Sequence, residues 1–456
     1  MILKKSFIFL SLALIFSKVN AEELNNLALE DALTIMKNNN LELKVSKFNE
    51  QIKAHEAQMA KGYNYGKLDL KLQALRSNDA GNVFGFKLKS REATFGDFGF
   101  AEFDMSGSTN PLPVQPKELN YPDARNHFQT TLTYQLPLYT GGKLSQYSKI
   151  TKALTYMSKL DTERLLNEKV FQTKKTFYDI SLLEQYINNL SEIVNNINEL
   201  ENIVANMKSE GFAKEIDQLE VKSRKSEAQS MLSQATYNKE LAYQYLSFLL
   251  NNPVKSIQTL DKLAPLPEIN QNELASDNLD IQKAELGLKI TKMAIKAEES
   301  KFLPMIGAFG EYGSADNRPF NEFSKKDFYT VGLQLELNLF NGDIDGQSLE
   351  KAKVENLKVQ NQVELAKAGI TLKVKKLTTN IKSKDAEIKS LETQYEFAQK
   401  VYENYEGRYQ EGISSISDVL IKQSKELEVL LKLLTAKNDR NSKVFELTSI
   451  LNKGEK

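Results

Sequence analysis

The sequence predicts an α+β membrane protein built by internal duplication, in which long coiled-coil-like helical hairpins accompany four β-strands per chain. Three observations carry this reading. Prolines leave two long stretches free for helices, four segments alternate apolar and polar residues with a period of two, and a repeat keeps one offset from Leu138 to Asn251.

The ten prolines stand at 111, 113, 116, 122, 137, 253, 265, 267, 304 and 319, so 138–252 and 320–456 contain none. Proline costs about 3 kcal/mol inside a helix, so these two stretches permit very long ones. Within the first, Leu183, Ile187, Leu190, Val194, Ile197, Leu200, Val204 and Met207 recur at spacings of three and four, the seam of helix packed on helix. A single helix from Lys143 to Met207 would run about 98 Å at 1.5 Å per residue, far beyond a globular helix.

The period-two segments come in pairs. Lys67 to Leu72 and His127 to Leu138 form the first; Met305 to Tyr312 and Phe328 to Leu339 form the second. In the last, Tyr329, Val331, Leu333, Leu335, Leu337 and Leu339 share one face, with Thr330, Gly332, Gln334, Glu336 and Asn338 on the other. A membrane barrel with a wet lumen alternates in this way, as does a half-buried soluble sheet. The chain lacks tryptophan, so Tyr134, Tyr139, Tyr312, Phe328, Tyr329 and Phe340 are the aromatics available for a barrel girdle.

The repeat orders these pieces. Leu138 to Gly142 matches Leu339 to Asp343, Gly211 and Asp217 match Gly412 and Asp418, and Leu246-Ser247 matches Leu447-Thr448, all at an offset of 201. Helical arms of equal length without an insertion imply a common packed structure, because loops tolerate insertions and a long seam does not. Upstream, Asn40 to Leu43 matches Asn278 to Ile281 at 238, so the first copy carries 37 extra residues between its strands. They fall in a Phe-, Gly- and Pro-rich segment from Ser77 to Asn126, an inter-strand loop that on a barrel would be extracellular; it is either a variable surface loop or one whose aromatics pack on neighbouring subunits or fold into the pore mouth.

The expected organisation is therefore a signal peptide over 1–21, a first repeat over 22–251, a linker over 252–272 and a second repeat over 273–456. The first repeat has helices at 29–62, 143–209 and 215–251, strands near 67–78 and 127–140, and the long loop 79–126. The second has helices at 275–302, 344–410 and 416–451 and strands near 305–313 and 328–340. Lys4 and Lys5, an apolar run to Phe16 and the small residue Ala21 make the signal, which points to export into a bacterial envelope.

Composition removes several functions. Sixty basic residues balance sixty acidic ones, and losing the signal's three lysines leaves −3, so no basic excess favours nucleic acid. The absence of cysteine and the presence of only two histidines exclude disulfides, thiol catalysis and Cys/His zinc clusters. Gly142-Lys143 lacks the rest of a phosphate loop, and Asp343 to Gly346 places its glycine too early for a calcium loop. The carboxylates are too many along the helices to single out a catalytic pair. No enzyme activity, metal or cofactor is expected.

The order of elements resembles the TolC-like outer-membrane efflux proteins, the outer membrane factor family. The residues that carry the resemblance are the strand-to-helix signature Leu136 to Gly142 with its second copy Leu337 to Asp343, and the helical turn Glu210-Gly211-Phe212 through Asp217 with Glu411-Gly412-Ile413 through Asp418. The resemblance implies a homotrimer whose chains each give four strands to one twelve-stranded β-barrel, their helices forming a periplasmic α-barrel. It implies a passive exit duct in the Gram-negative outer membrane, among outer-membrane lipid, fed by an inner-membrane pump and a periplasmic adaptor in efflux or type I secretion.

By the same resemblance, Gly141, Gly142 and Gly342 are strand-to-helix turns, and Gly211, Phe212, Gly412 and Ile413 are adaptor-docking tips. Asp418 matches an acidic ring at the periplasmic entrance, where symmetry-related carboxylates would repel and favour cations. Tyr409 and Asp217 match a closing pair in which a phenol donates to a carboxylate. Ser414 and Ile421 stand where the best-known pattern has an arginine and a second acid, which points to an apolar constriction in the gate. The alternative reading is a secreted or periplasmic coiled-coil scaffold without channel activity, and membrane fractionation separates the two.

Overall fold

The computed structural model describes residues 23–108, 110, 112–260, 262–270 and 274–453; the expected signal segment lies outside them. The chain divides into two compact units, one made of the residues up to Phe48, Leu160–Gln282 and those from Ala366 on, the other of Asn49–Lys159 and Lys283–Leu365. In order, the elements are α1 (Leu29–Asn39), α2 (Leu41–Gly62), β1 (Lys67–Ser77), α3 (Ala80–Lys89), α4 (Lys117–Asn120), β2 (Arg125–Thr140), α5 (Lys143–Ser209), α6 (Glu215–Leu250), α7 (Leu274–Asp277), α8 (Leu279–Glu299), β3 (Met305–Asp316), β4 (Asp327–Glu336), α9 (Ile344–Gln410) and α10 (Ile416–Ile450). Helices α5 and α9 are each 67 residues long and begin 201 residues apart, so the repeat offset survives as a structural period.

In the second unit the four strands form one antiparallel sheet in the order β1-β2-β3-β4, every neighbour pair a direct sequence neighbour among the strands. The pairings Leu70↔Leu132↔Tyr312↔Tyr329 put those side chains on one face, together with Leu68, Leu72, Leu136, Ile306, Val331, Leu333 and Leu335. The opposite face carries Lys67, Asp69, Lys71, Gln73, Gln129, Thr131, Thr133, Gln135, Glu311, Thr330 and Gln334. Leu70 and Leu333 are 65% and 73% exposed, so the apolar face is left uncovered within one chain. Two glycines on the polar face accept aromatic neighbours: Phe309 lies over Gly332 and Phe328 over Gly313. Phe328 therefore sits on the face opposite Tyr329 and does not join the exposed aromatics at that strand's end.

The first unit holds the helical core. One cluster gathers Ala32, Met36, Phe177, Ile180, Leu246, Leu249 and Leu250; a second, around Leu200, Val204, Val221, Val419 and Leu420, joins α5, α6, α9 and α10. The segment after α6 pairs in parallel with the chain's first described residues, Leu24 with Val254 and Leu27 with Ile257.

The helix expected over 29–62 is two helices. Asn40 leaves the helical region (ψ 124°), its Oδ1 accepts from the Leu43 N–H at 3.0 Å, and its Nδ2 donates to the Leu249 carbonyl at 2.8 Å. Asn278 does the same 238 residues on, accepting from Ile281 and donating to Ile450. A buried asparagine can cap one helix and take a bare C-terminal carbonyl of another, which a continuous helix would leave without a partner. Strand β4 also stops at Glu336, short of the expected 340.

Candidate functional site

The tip of the helical unit is built from two copies of one turn. After α5, the Phe212 N–H donates to the Met207 carbonyl at 2.7 Å and the Gly211 N–H to Lys208; after α9, Ile413 donates to Arg408 at 2.8 Å and Gly412 to Tyr409. These are paired Schellman bonds, and the glycines take the left-handed backbone they require, with φ of +80° and +76°. Phe212 and Ile413 stand beyond the helices, 79% and 61% exposed.

Each turn leads into a capped helix. Asp217 accepts from the Lys214 N–H at 2.8 Å, and Ser415 accepts from the Asp418 N–H while its hydroxyl donates to the Asp418 carboxylate at 2.7 Å. Both aspartates thus lie in the first turn of their helices, where the helix dipole favours negative charge. The two turns are tied together by the Ser417 hydroxyl, which donates to Glu220 at 2.7 Å, and by the shared core of Val221, Ile416, Val419 and Leu420. Ser414 is half-buried, and Asp418 and Ile421, one helical turn apart, are exposed on one side of α10.

Tyr409 is buried in the same core. Burial first, and the nearby Asp217 charge second, hold its phenol above the ordinary range. The structure brings the two residues near one another without a hydrogen bond, the Asp217 carboxylate being engaged by Lys214.

Sequence reasoning passed over the acids next to this tip. Glu426 of α10 is only 9% exposed. Burial, then the charges of Glu403 and Glu406, push its carboxyl up to about 7. Glu406 is raised too, by burial and by Glu199 and Glu403, against a contact with the Tyr402 hydroxyl at 3.4 Å. Gln423 donates to that hydroxyl at 3.4 Å. Nothing marked Glu426 in the sequence except that it falls on the apolar stripe of α10, three residues before Val429.

In the sheet-bearing unit, the strand-to-helix turns are again duplicated. Gly141 and Gly142 have φ of +61° and +92°, and Gly342 and Asp343 have +69° and +63°, so an aspartate takes the second left-handed place in the later copy. At Gly141 a Cβ would meet the Ser300 carbonyl oxygen at 2.5 Å, which leaves room for glycine alone. Below the polar face of the sheet lies a concavity of about 1100 Å³ whose lining includes Lys67, Gln135, Phe309, Glu311, Gln334 and Lys143.

Among the described residues no helix is long and apolar enough to cross a membrane. Residues 271–453 match the outer membrane efflux protein family. No curated protein matches the chain significantly in sequence. Among solved structures, it superposes on the CmeC outer membrane channel of Campylobacter jejuni with a TM-score of 0.75 at 14% identity, covering 93% of this chain and 86% of that one. The open-state MtrE outer membrane channel of Neisseria gonorrhoeae gives 0.75 at 16% identity, covering 94% and 89%. The outer membrane protein VceC of Vibrio cholerae gives 0.73 at 13%, covering 93% and 96%. At such identities the likeness is one of fold, and it extends along nearly the whole chain. The family match thus covers the second repeat, and the fold of these outer membrane channels runs through both repeats.

Proposed function

We propose that this protein is the outer-membrane duct of a multicomponent exporter, passing substrates that an inner-membrane pump and a periplasmic adaptor deliver. The observation that supports it best is the sheet: four strands, one face apolar and uncovered, the other polar above a concavity, and the outer edges of β1 and β4 without a strand partner among the described residues. An open sheet with an apolar outside and free edges is unstable in lipid, where every backbone group needs a partner. Copies of the chain joined β4 to β1 close it into a barrel with leucines toward lipid and Lys, Gln, Thr and Glu toward a wet lumen. Three copies make the twelve strands that the family resemblance implies.

The helical tips then form the periplasmic entrance. Phe212 and Ile413 are apolar, exposed and rigidly presented by the Schellman turns, as residues that dock an adaptor would be. Asp418 with Ile421 lines the opening, a carboxylate one turn from an apolar constriction. The duct catalyses no chemistry, and the lumen's mixed charges set only a mild preference for what passes.

The test is to fractionate envelopes, extract the protein in detergent and record conductance in a planar bilayer. A heat-modifiable trimer from the outer membrane with discrete conductance steps is the expected result. A folded monomer in the soluble fraction would establish the coiled-coil scaffold instead.

A further inference from the structure

The long loop of the first repeat is folded onto one particular face of the sheet. Helix α3 is capped by Asp79, whose Oδ1 accepts from the Asn82 N–H at 2.9 Å, and it packs against β2 and β3. Phe86 stacks flat on His127, with ring centroids 4.1 Å apart and planes at 6°. His127, Thr131 and Ala315 are buried, and all three lie in the register of the polar face, together with Gln129, which receives Lys89 at 3.4 Å and donates to Thr131. The apolar face stays bare. A loop that merely decorated the surface had both faces available, and the apolar one offers more area to bury; this one occupies the face that becomes the lumen.

Charged side chains fasten it there. Glu92, just after α3, pairs with Arg125 at the start of β2 and with Lys326 just before β4. Lys326 is 92% buried and also meets Asp316 at 2.9 Å, with Glu322 at 3.8 Å. The Arg91 guanidinium donates to the Asp327 carbonyl, and Lys87 binds Asp97 within the loop. Glu92 is thus the only acid from the long loop in a cluster whose other members come from the two hairpins' strands and the short second loop. Its carboxyl lies below the ordinary range, burial being outweighed by the hydrogen bonds from Lys326 and Arg125.

We propose that residues 79–92 are a lid on the lumenal side of the barrel's outer mouth, latched by Glu92 to Arg125 and Lys326, so that the duct has an outer gate in addition to its periplasmic entrance. This rests on the duct reading above. The 37 residues by which the first loop exceeds the second supply the lid, since the two inter-strand segments span 78–124 and 317–326. Releasing Glu92 leaves Lys326 held by Asp316 and removes the ion pairs that anchor the end of α3, so the latch loosens without dismantling the hairpins.

The chain contains no cysteine, so single cysteines report without background. Thr131→Cys sits buried on the polar face, beside the Gln129 that Lys89 of α3 contacts, and Leu70→Cys sits on the apolar face. Labelling of whole cells with a membrane-impermeant maleimide is compared in the native background, with Glu92→Gln, and with residues 80–90 replaced by a short glycine-serine linker. Thr131→Cys is expected to label slowly in the native background and faster by roughly tenfold or more once unlatched, the shift a modest change in open population produces; Leu70→Cys is expected to stay protected throughout. Rapid labelling of Thr131→Cys that neither change accelerates would overturn the lid and leave the duct standing. Equal labelling of Leu70→Cys and Thr131→Cys would overturn the duct and the lid with it. Failure of the linker variant to reach the membrane leaves the decision with Glu92→Gln, whose unchanged labelling counts against the latch.

Discussion

The Ser417 hydroxyl donates to the Glu220 carboxylate at 2.7 Å, and this bond joins the helix that follows one tip turn to the helix that follows the other. It is a charge-assisted bond between residues 197 apart, and it sits beside the shared apolar core of the tip. Tyr409, by contrast, contributes its ring to that core and leaves its hydroxyl without a hydrogen bond to Asp217.

The gate expectation is thereby reordered. Ser417→Ala should loosen the tip by about 2 kcal/mol, the usual worth of a hydrogen bond to a charged group, and should lengthen open dwell times in bilayer recordings. Tyr409→Phe should change them less. If Tyr409→Phe opens the channel and Ser417→Ala does not, the closing link runs between neighbouring copies and not through the bond seen within one chain.

Asn40 and Asn278 should be the least replaceable polar residues in the helical unit. Each is buried and serves two elements at once, capping α2 or α8 and satisfying the carbonyl of Leu249 or Ile450. Asn40→Ala removes both bonds and leaves a buried carbonyl bare, a loss of about 2–3 kcal/mol. Asn40→Asp keeps the cap and loses the donor. Thermal unfolding of the detergent-extracted protein should rank native above Asn40→Asp above Asn40→Ala; equal midpoints for all three would show that the break is made by the chain's geometry alone.

How much of this was legible follows from which interactions are local. The four strands could be read because period-two alternation is a property of consecutive residues, and the tip turns because a left-handed position leaves a glycine, here twice at one offset. The break at Asn40 was invisible because an asparagine inside a helical pattern is unremarkable until the Leu249 carbonyl, 209 residues away, is known to need it. Helix α3 was hidden for the same reason: its Gly- and Phe-rich sequence reads as loop, and the partners that fix it, His127, Arg125 and Lys326, belong to other elements. Asp217 and Asp418 were picked out by position, and the structure adds a local duty to each as a capping residue.

Phe212 and Ile413 can be separated from the fold they stand on. Both are exposed and contribute nothing to the tip core, so Phe212→Ala and Ile413→Ala should leave the melting temperature unchanged while weakening capture of the cognate adaptor in a pull-down. Gly211→Ala should do the reverse at first order, costing about 1 kcal/mol by forcing a Cβ into left-handed backbone and fraying the end of α5 in hydrogen exchange. An adaptor that binds the Phe212→Ala, Ile413→Ala double variant as tightly as the native protein would place docking elsewhere on the helices.

Glu426 makes the stability of the tip depend on pH near neutrality. Its carboxyl titrates at about 7 in the folded chain against 4.5 for an ordinary glutamate, burial being the main cause and Glu403 and Glu406 adding to it. The folded state therefore binds this proton more tightly than the unfolded chain, so the stabilisation is fully present below the unfolded value and is lost as pH rises through about 7. Glu426→Gln keeps the shape of the neutral acid and cannot ionise. It should match the native protein at about pH 4.5 and exceed it at about pH 8 by on the order of 2 kcal/mol, read as slower amide exchange in α10. Glu92 and Asp97 act in the opposite sense: their carboxyls are held low, Asp97 to about 2 chiefly by Lys87, so their ion pairs persist through neutral pH and fail only as pH falls through the acid range. A native protein whose α10 exchange runs parallel to that of Glu426→Gln from pH 4.5 to 8, after correction for intrinsic rates, would mean that assembly or water supplies the buried carboxylate with a partner and that the tip carries no proton-linked weakness.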